Sequence, residues 1–327
     1  MVGQIQSMGL LLLLIGAFCP APSAEPGRDW VRATASAPWS PRWGHTAVSY
    51  SGKIWLIGGQ DIGDVWNTTD GTHWTCVIPP PGIRATYRYG HTCVVYAGKM
   101  WLIGGISADP GANVWYSTNG TTWTRATANA PWGRRSGHAS VVYGGKIWLI
   151  GGFDGTKDLS DVWYSTNATT WTLAGHGPWT AGVDSKAVVV FDGKIWVIAG
   201  NPYYNASYSS DGANWTVASG PFLNSLLGHA AVVCDRKIWV MGGVMPPPWF
   251  QSTNEVWSSS DGANWRQVLA HGRAPWTPRY SFPVVVFDRK MWILGGAYYT
   301  GSSTYYLNDV WYSQFPAETT AAWKLYR

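Results

Sequence analysis

The side chains in this sequence best suited to chemistry recur at a fixed interval. Arg42, Arg88 and Arg135 each stand three residues before a histidine, His45, His91 and His138, and Arg279 stands three before Phe282. A guanidinium presents paired donors in one plane, so several around one opening would suit an acidic ligand such as a sugar carboxylate. The competing role for a repeated arginine is to brace one unit of the chain against the next. The histidines, with His229 at the same position, could in principle hold a metal or move a proton. Recurrence at equivalent sites instead points to a structural hydrogen bond. A second group is aromatic: Trp249, Phe250, Tyr298, Tyr299, Tyr305 and Tyr306 fall in two long, variable segments, 244–254 and 297–308. Such rings make a stacking platform for sugars or an anchor patch for a protein partner, unless they pack on one another beneath a proline-rich cap.

Acid/base and metal chemistry find less support. Asp64, Asp161, Asp309 and Glu255 each stand two residues before a tryptophan, with Asn113 in a fifth such place, and read as turn or contact residues. The carboxylates available as partners for the arginines are Asp61, Asp109, Asp154, Asp158 and Asp184. None forms a pair at a telling spacing, so no catalytic residue, metal or cofactor is expected. Of the four cysteines, Cys19 falls in the apolar N-terminal segment, and the remaining Cys76, Cys93 and Cys234 are odd in number and scattered, which gives no disulfide framework. Cys234 takes a position held elsewhere by Tyr50, Tyr96, Tyr143, Phe191 and Phe287, and reads as a small buried apolar residue.

The elements that must position these residues follow from a repeat of roughly 47 residues. Its core is Lys, Ile or Met, Trp, two apolar residues and Gly-Gly, as in Lys53–Gly59, Lys99–Gly105, Lys146–Gly152, Lys237–Gly243 and Lys290–Gly296. Lys194–Gly200 is a further copy, with Ala199 for the first glycine. Each copy begins with an apolar run such as 138–143, separated from the Lys-x-Trp run by two turn residues, the length of a tight hairpin. A variable loop leads to a third run around Asp-Val-Trp, and a turn such as Asp70-Gly71 or Asn119-Gly120 leads to a fourth, marked by Trp74, Trp123, Trp171, Trp215, Trp265 and Trp323. Short β-branched and aromatic runs punctuated by Gly, Asn and Asp leave little room for helix. Six units of four antiparallel strands predict an all-β, six-bladed β-propeller. The blades are expected at about 38–77, 78–126, 127–174, 175–218, 219–269 and 270–327.

Together the Gly-Gly, the Arg-x-Gly-His and the fourth-strand tryptophan resemble the kelch repeat, from about Trp30 to Arg327. The resemblance implies the fold. It also implies that the four arginines at the matching Arg-x-Gly site, Arg42, Arg88, Arg135 and Arg279, point into the central mouth as ligand contacts. Val183 and Leu226 interrupt that set in copies four and five. Exported kelch propellers that interconvert anomers of sialic acid are the family's precedent for an enzyme, and copper oxidases share the fold, but their Tyr-Cys cross-link and histidine ligands have no counterpart here. The turn at 259–265 resembles a sialidase Asp-box, one residue short, and reads as a plain hairpin turn.

The chain ends pose a question of closure. Residues 30–39 closely repeat 123–132, so 28–36 form a spare fourth strand with no blade of its own. Placed on the sixth blade, it would close the ring and remove an open edge. The segment Trp323-Lys-Leu-Tyr competes for the same place. Residues 9–18 are an apolar stretch followed by small residues, and 1–23 read as a signal peptide cut before Ala24, the alternative being a retained N-terminal anchor. The expected product is a secreted or periplasmic monomer without a membrane span in the mature chain. Charge is scattered, 23 basic against 18 acidic side chains, without the basic stripe that nucleic-acid binding needs. Long loops on one face of a rigid scaffold suit a non-enzymatic binding module with a protein or glycan partner, and a sialic acid mutarotase-like epimerase is the alternative. The opposite face, made of tight turns, is expected to offer little area for specialisation.

Overall fold

The computed structural model describes residues 26–78, 86–107, 112–179, 187–198, 206–218, 226–245 and 250–315. Six four-stranded antiparallel sheets account for its architecture, with no helix among the described residues. The first blade shows the order: Thr46–Tyr50, Lys53–Ile57, Val65–Thr68 and Thr75–Ile78, each paired with the next. The second strand of every blade follows Lys-x-Trp and is buried on both faces after its lysine, which is why it is apolar without alternation. The core is divided rather than central. Six apolar clusters each join two neighbouring blades, for example Ile54, Leu56, Trp292 and Leu294 between blades six and one.

Blade six is completed by the start of the chain. Val31–Thr34 pairs antiparallel with Thr304–Gln314, in the register Val31 to Tyr312 and Arg32 to Trp311. The segment around Trp323 lies outside the described residues, as do the signal segment and the proposed cut. Residues 26–30 also rebuild a turn that every other described blade makes from continuous chain. In blade one Thr68 Oγ1 accepts from the Gly71 amide (2.8 Å) and the Trp74 indole donates to the Gly71 carbonyl (3.2 Å). In blade six Ser313 Oγ accepts from Gly27 (2.9 Å) and the Trp30 indole donates to the Gly27 carbonyl (2.8 Å). Gly27 has φ +73° and lies flat against Trp239, as Gly71 lies against Trp292, because a side chain there would enter the ring.

Two sets of bonds stitch blade to blade. On the tight-turn face the Tyr50 hydroxyl donates to the carbonyls of Gly98 (2.7 Å) and Thr118 (3.1 Å) of the next blade. Tyr96 does the same to Gly145 and Thr166, and Tyr143 to Gly193 and Ser210. Around the axis runs a chain of backbone hydrogen bonds. Ser281 donates to Gly228 (2.8 Å), Gly44 to Ser281 (3.3 Å), Gly90 to Gly44 (2.9 Å) and Gly137 to Gly90 (2.9 Å). All five residues sit at φ between +49° and +66°, which explains glycine at four of them. No helix among the described residues is long and apolar enough to cross a membrane.

Candidate functional site

The four arginines are inside the blades. Arg42, Arg88, Arg135 and Arg279 expose between 0% and 2% of their surface. Each donates from Nη1 to the carbonyl of the first residue of its Gly-Gly pair: Gly58, Gly104, Gly151 and Gly295. Three of them grip a carboxylate with two nitrogens. Arg279 reaches Asp309 at 2.7 and 2.8 Å, Arg135 reaches Asp161 at 2.7 and 2.9 Å, and Arg42 pairs with Asp64. Arg88 instead meets Asn113 Oδ1 at 2.9 Å. The same carboxylates accept the indoles of Trp66, Trp163 and Trp311, each at 2.7 Å. The expectation that these arginines face a ligand in the mouth is therefore corrected. Their donors are turned into the link between the first and third strands, where a buried guanidinium requires an acceptor set of its own. Burial would raise the Asp161 and Asp309 carboxyls, but the guanidinium hydrogen bonds reverse this and hold both below the ordinary range.

The histidines act between blades. His45 Nε2 meets the Leu294 carbonyl of blade six at 3.1 Å, and His138 Nε2 meets Ile103 of blade two at 3.0 Å. Burial, with the neighbouring arginine, lowers both to about 3, so they are neutral in the folded protein. His229 bonds within its own blade, to the Leu226 carbonyl at 2.9 Å. Among the described residues no group of three or more His, Cys, Asp or Glu side chains is placed to hold a metal.

The mouth is lined instead by the residue between the arginine and the glycine. Trp43, Tyr89, Ser136, Leu227 and Tyr280 are all half-buried, where the preceding position is buried in each of these five copies. This position was not among the site residues expected from the sequence; it differs from copy to copy while its neighbours recur, and that variation is the signal that could have found it. Asp184 takes it in copy four and lies outside the described residues. Trp43, Leu227 and Tyr280 join Val244, Phe250 and Tyr299 around a cleft of about 310 Å³ beside the axis. The Trp43 and Tyr89 rings continue the wall, 5.6 Å apart.

The segment expected as a loop at 297–308 is a projecting hairpin. Strands Lys290–Tyr299 and Thr304–Gln314 pair as far as Tyr299 and Thr304, leaving only 300–303 as a turn. Alternation explains why a run rich in tyrosine became strand: the partners Ala297 and Tyr306, Tyr299 and Thr304 share one face, and Tyr298 and Tyr305 the other. Tyr280 hydrogen-bonds Thr304 on the first face, and burial, with Tyr306 and Tyr299 nearby, pushes its phenol above the ordinary value. Tyr298 and Tyr305 stack 6.4 Å apart on the second. Phe250 (47%), Tyr305 (56%) and Tyr306 (48%) are well exposed for aromatic residues. Trp249 lies outside the described residues. Of the described loop carboxylates, Asp154 is an exposed turn residue accepting from the Thr156 and Lys157 amides, Asp158 begins a strand, and Asp61 stands in a turn with φ +58°. Asp109 is not among the described residues.

Comparison with known proteins agrees with this architecture. A family model of the KLHDC2/KLHL20/DRC7 Kelch-repeats domain matches residues 44–215. The solved structure of YjhT superposes with a TM-score of 0.67 at 16% identity, covering 85% of this chain and 96% of that one, a likeness of fold. No curated protein sequence matches the chain.

Proposed function

The chain belongs to the kelch-repeat β-propeller family, and on that scaffold we propose that it is an exported, non-enzymatic binding module that takes a protein or glycan partner at the aromatic mouth. The observation that carries this is the cleft of Trp43, Leu227, Val244, Phe250, Tyr280 and Tyr299, together with exposed Tyr305 and Tyr306 beside it. Its described lining holds aromatic, aliphatic and hydroxyl groups and no charge, which suits the face of a neutral sugar or an apolar side chain rather than an acid. Kelch propellers commonly bind proteins, and rigid aromatic rings on a fixed scaffold are the usual anchors of such contacts. Export rests on the apolar stretch at 9–18 and the small residues after it.

The enzyme alternative asks for arginine in the mouth and a positioned acid/base pair. The arginines the family resemblance nominated are bonded to Asp64, Asn113, Asp161 and Asp309, so no specific observation favours it. A thermal-shift panel of neutral sugars, acidic sugars and candidate partner proteins on the secreted chain tests the reading. The ligand that shifts the melting temperature should lose at least tenfold in affinity in Phe250→Ala and Tyr280→Ala. Undiminished binding in both variants would sink the mouth as the site.

A further inference from the structure

The face of tight turns, expected to be featureless, holds a cavity of about 790 Å³ where blades five, six and one meet. Its walls are Ser49, Gly52 and Thr69 of blade one, Val233, Cys234 and Asp235 of blade five, and Val286 to Arg289 of blade six. The internal repeat shows what is different there. In the first three copies a tyrosine closes the seam by donating to the second residue of the next blade's first turn and to the residue before its Asx turn. At the seam from blade six to blade one those two acceptors are Gly52 and Thr69, and both line the cavity. The tyrosine is replaced by Phe287 here, by Cys234 at the preceding seam and by Phe191 at the one before. Three consecutive seams thus lack the bridging hydroxyl, and the cavity adjoins those of Cys234 and Phe287.

The turns around this opening are unusual too. Where other copies place glycine second, copies five and six have Asp235-Arg236 and Asp288-Arg289, all four at φ between +47° and +55°. Such a conformation is costly for residues with a side chain. It brings Asp235, Asp288 and Arg289 to the rim.

We infer that this cavity is a second binding site, distinct from the mouth, for a small neutral polyhydroxylated ligand, a mono- to disaccharide. Hydroxyl groups both donate and accept, which matches two carbonyl acceptors left by the missing phenol, the carboxylates of Asp235 and Asp288, and the Arg289 guanidinium. Phe287, Val233 and Val286 meet the C–H face of such a molecule. The charge at the rim is mixed, since Asp288 faces Lys290 at 3.6 Å, so no strong field selects an ion. The volume lies within the range of small-molecule sites.

The experiment titrates glucose, galactose, mannose and maltose into the full mature chain, read by saturation-transfer NMR and calorimetry. Phe287→Tyr restores the hydroxyl present at three other seams. It should raise the melting temperature and weaken sugar binding at the cavity at least tenfold, while Tyr96→Phe, which removes a seam hydroxyl away from the cavity, leaves that binding unchanged. Should Phe287→Tyr not fold, Cys234→Tyr makes the same test at the adjoining seam. Absence of binding by all four sugars, equal affinity in the tyrosine variant, or a loss shared by Tyr96→Phe would each overturn the assignment. Sugar binding that is lost in Phe250→Ala and kept in Phe287→Tyr belongs to the mouth and overturns the cavity, so failure of this site and failure of the mouth remain distinguishable.

Discussion

Gly27 and Ser313 are 286 residues apart and joined by a 2.9 Å hydrogen bond, the amide of one donating to the hydroxyl of the other. The bond recreates a turn that Thr68 and Gly71 make within three residues of each other. The chain is thus divided inside a turn of its last blade, and the halves of that turn are rejoined when the ring closes. Closure covers the third strand of blade six, so the edge it presents is a short outer strand like that of every other blade.

Closure predicts an asymmetry between the ends. Deleting everything before Ala35 removes Trp30, 8% exposed in the cluster between blades five and six, and should cost at least about 3–5 kcal/mol and promote aggregation. Truncation after Phe315 should cost less, because Val31–Thr34 already supplies the fourth strand of blade six. A chain that tolerates the first deletion and not the second would assign the outer strand of blade six to the C-terminal segment.

Buried arginine predicts a stability phenotype. Arg279→Ala leaves the Asp309 carboxylate without its bidentate partner and should destabilise by about 3–5 kcal/mol, with Asp309→Asn recovering part of the loss in the double variant. Denaturant titration of the two single variants and the double one measures the coupling. Additive losses would show that the pair is not the brace described.

Acid should loosen the ring through its histidines. His45 and His138 ordinarily titrate at 6.5 and are held at about 3 in the folded protein, so only the unfolded chain gains protons as pH falls between those values. Stability is full above pH 6.5 and drops by about 1.4 kcal/mol per pH unit for each histidine. The lowered Asp161 and Asp309 carboxyls add a loss in the same direction once pH falls below about 4. His45→Phe, which copies Phe282 of the sixth unit, should flatten the slope between pH 6.5 and 4.5 by one histidine's share. An unchanged slope in denaturant titrations would show that His45 is not held neutral.

Scaffold and mouth should separate under truncation of aromatic side chains. Trp148 is 3% exposed, lies against Gly212 of the next blade and donates to the Tyr143 carbonyl at 3.0 Å. Trp148→Ala should cost about 3–5 kcal/mol. Phe250→Ala, at a residue 47% exposed, should leave the melting temperature within a degree or two, as surface changes usually do. The reverse order, read by differential scanning calorimetry, would dissolve the division between template and surface.

Much of this was legible before any coordinates. The period, the four strands and the Gly-Gly ends are local: each follows from short apolar runs, β propensity and turn chemistry within a few dozen residues, and repetition shows the pattern six times over. Repetition sets the arginine, present in four copies, apart from the residue after it, which changes from Trp43 to Tyr89, Ser136, Asp184, Leu227 and Tyr280. Yet the family resemblance nominates the arginine for the mouth, and only the structure puts Trp43, Leu227 and Tyr280 there. What spacing did not reveal was direction. Arg42 and Asp64, or Arg279 and Asp309, stand 22 and 30 residues apart with a variable loop between, and only pairing of the third strand with the second brings each carboxylate under its guanidinium. The tyrosine hairpin escaped for a related reason, because whether 297–308 loops or continues as strand depends on the register carried up from Gly296 and Leu307. The choice of Gly27 rather than the Trp323 segment to finish blade six belongs to the tertiary structure alone. Both segments have the local character of a fourth strand, and the decision lies in contacts with Ser313 and Trp239, at the far end of the chain from Gly27 and in another blade.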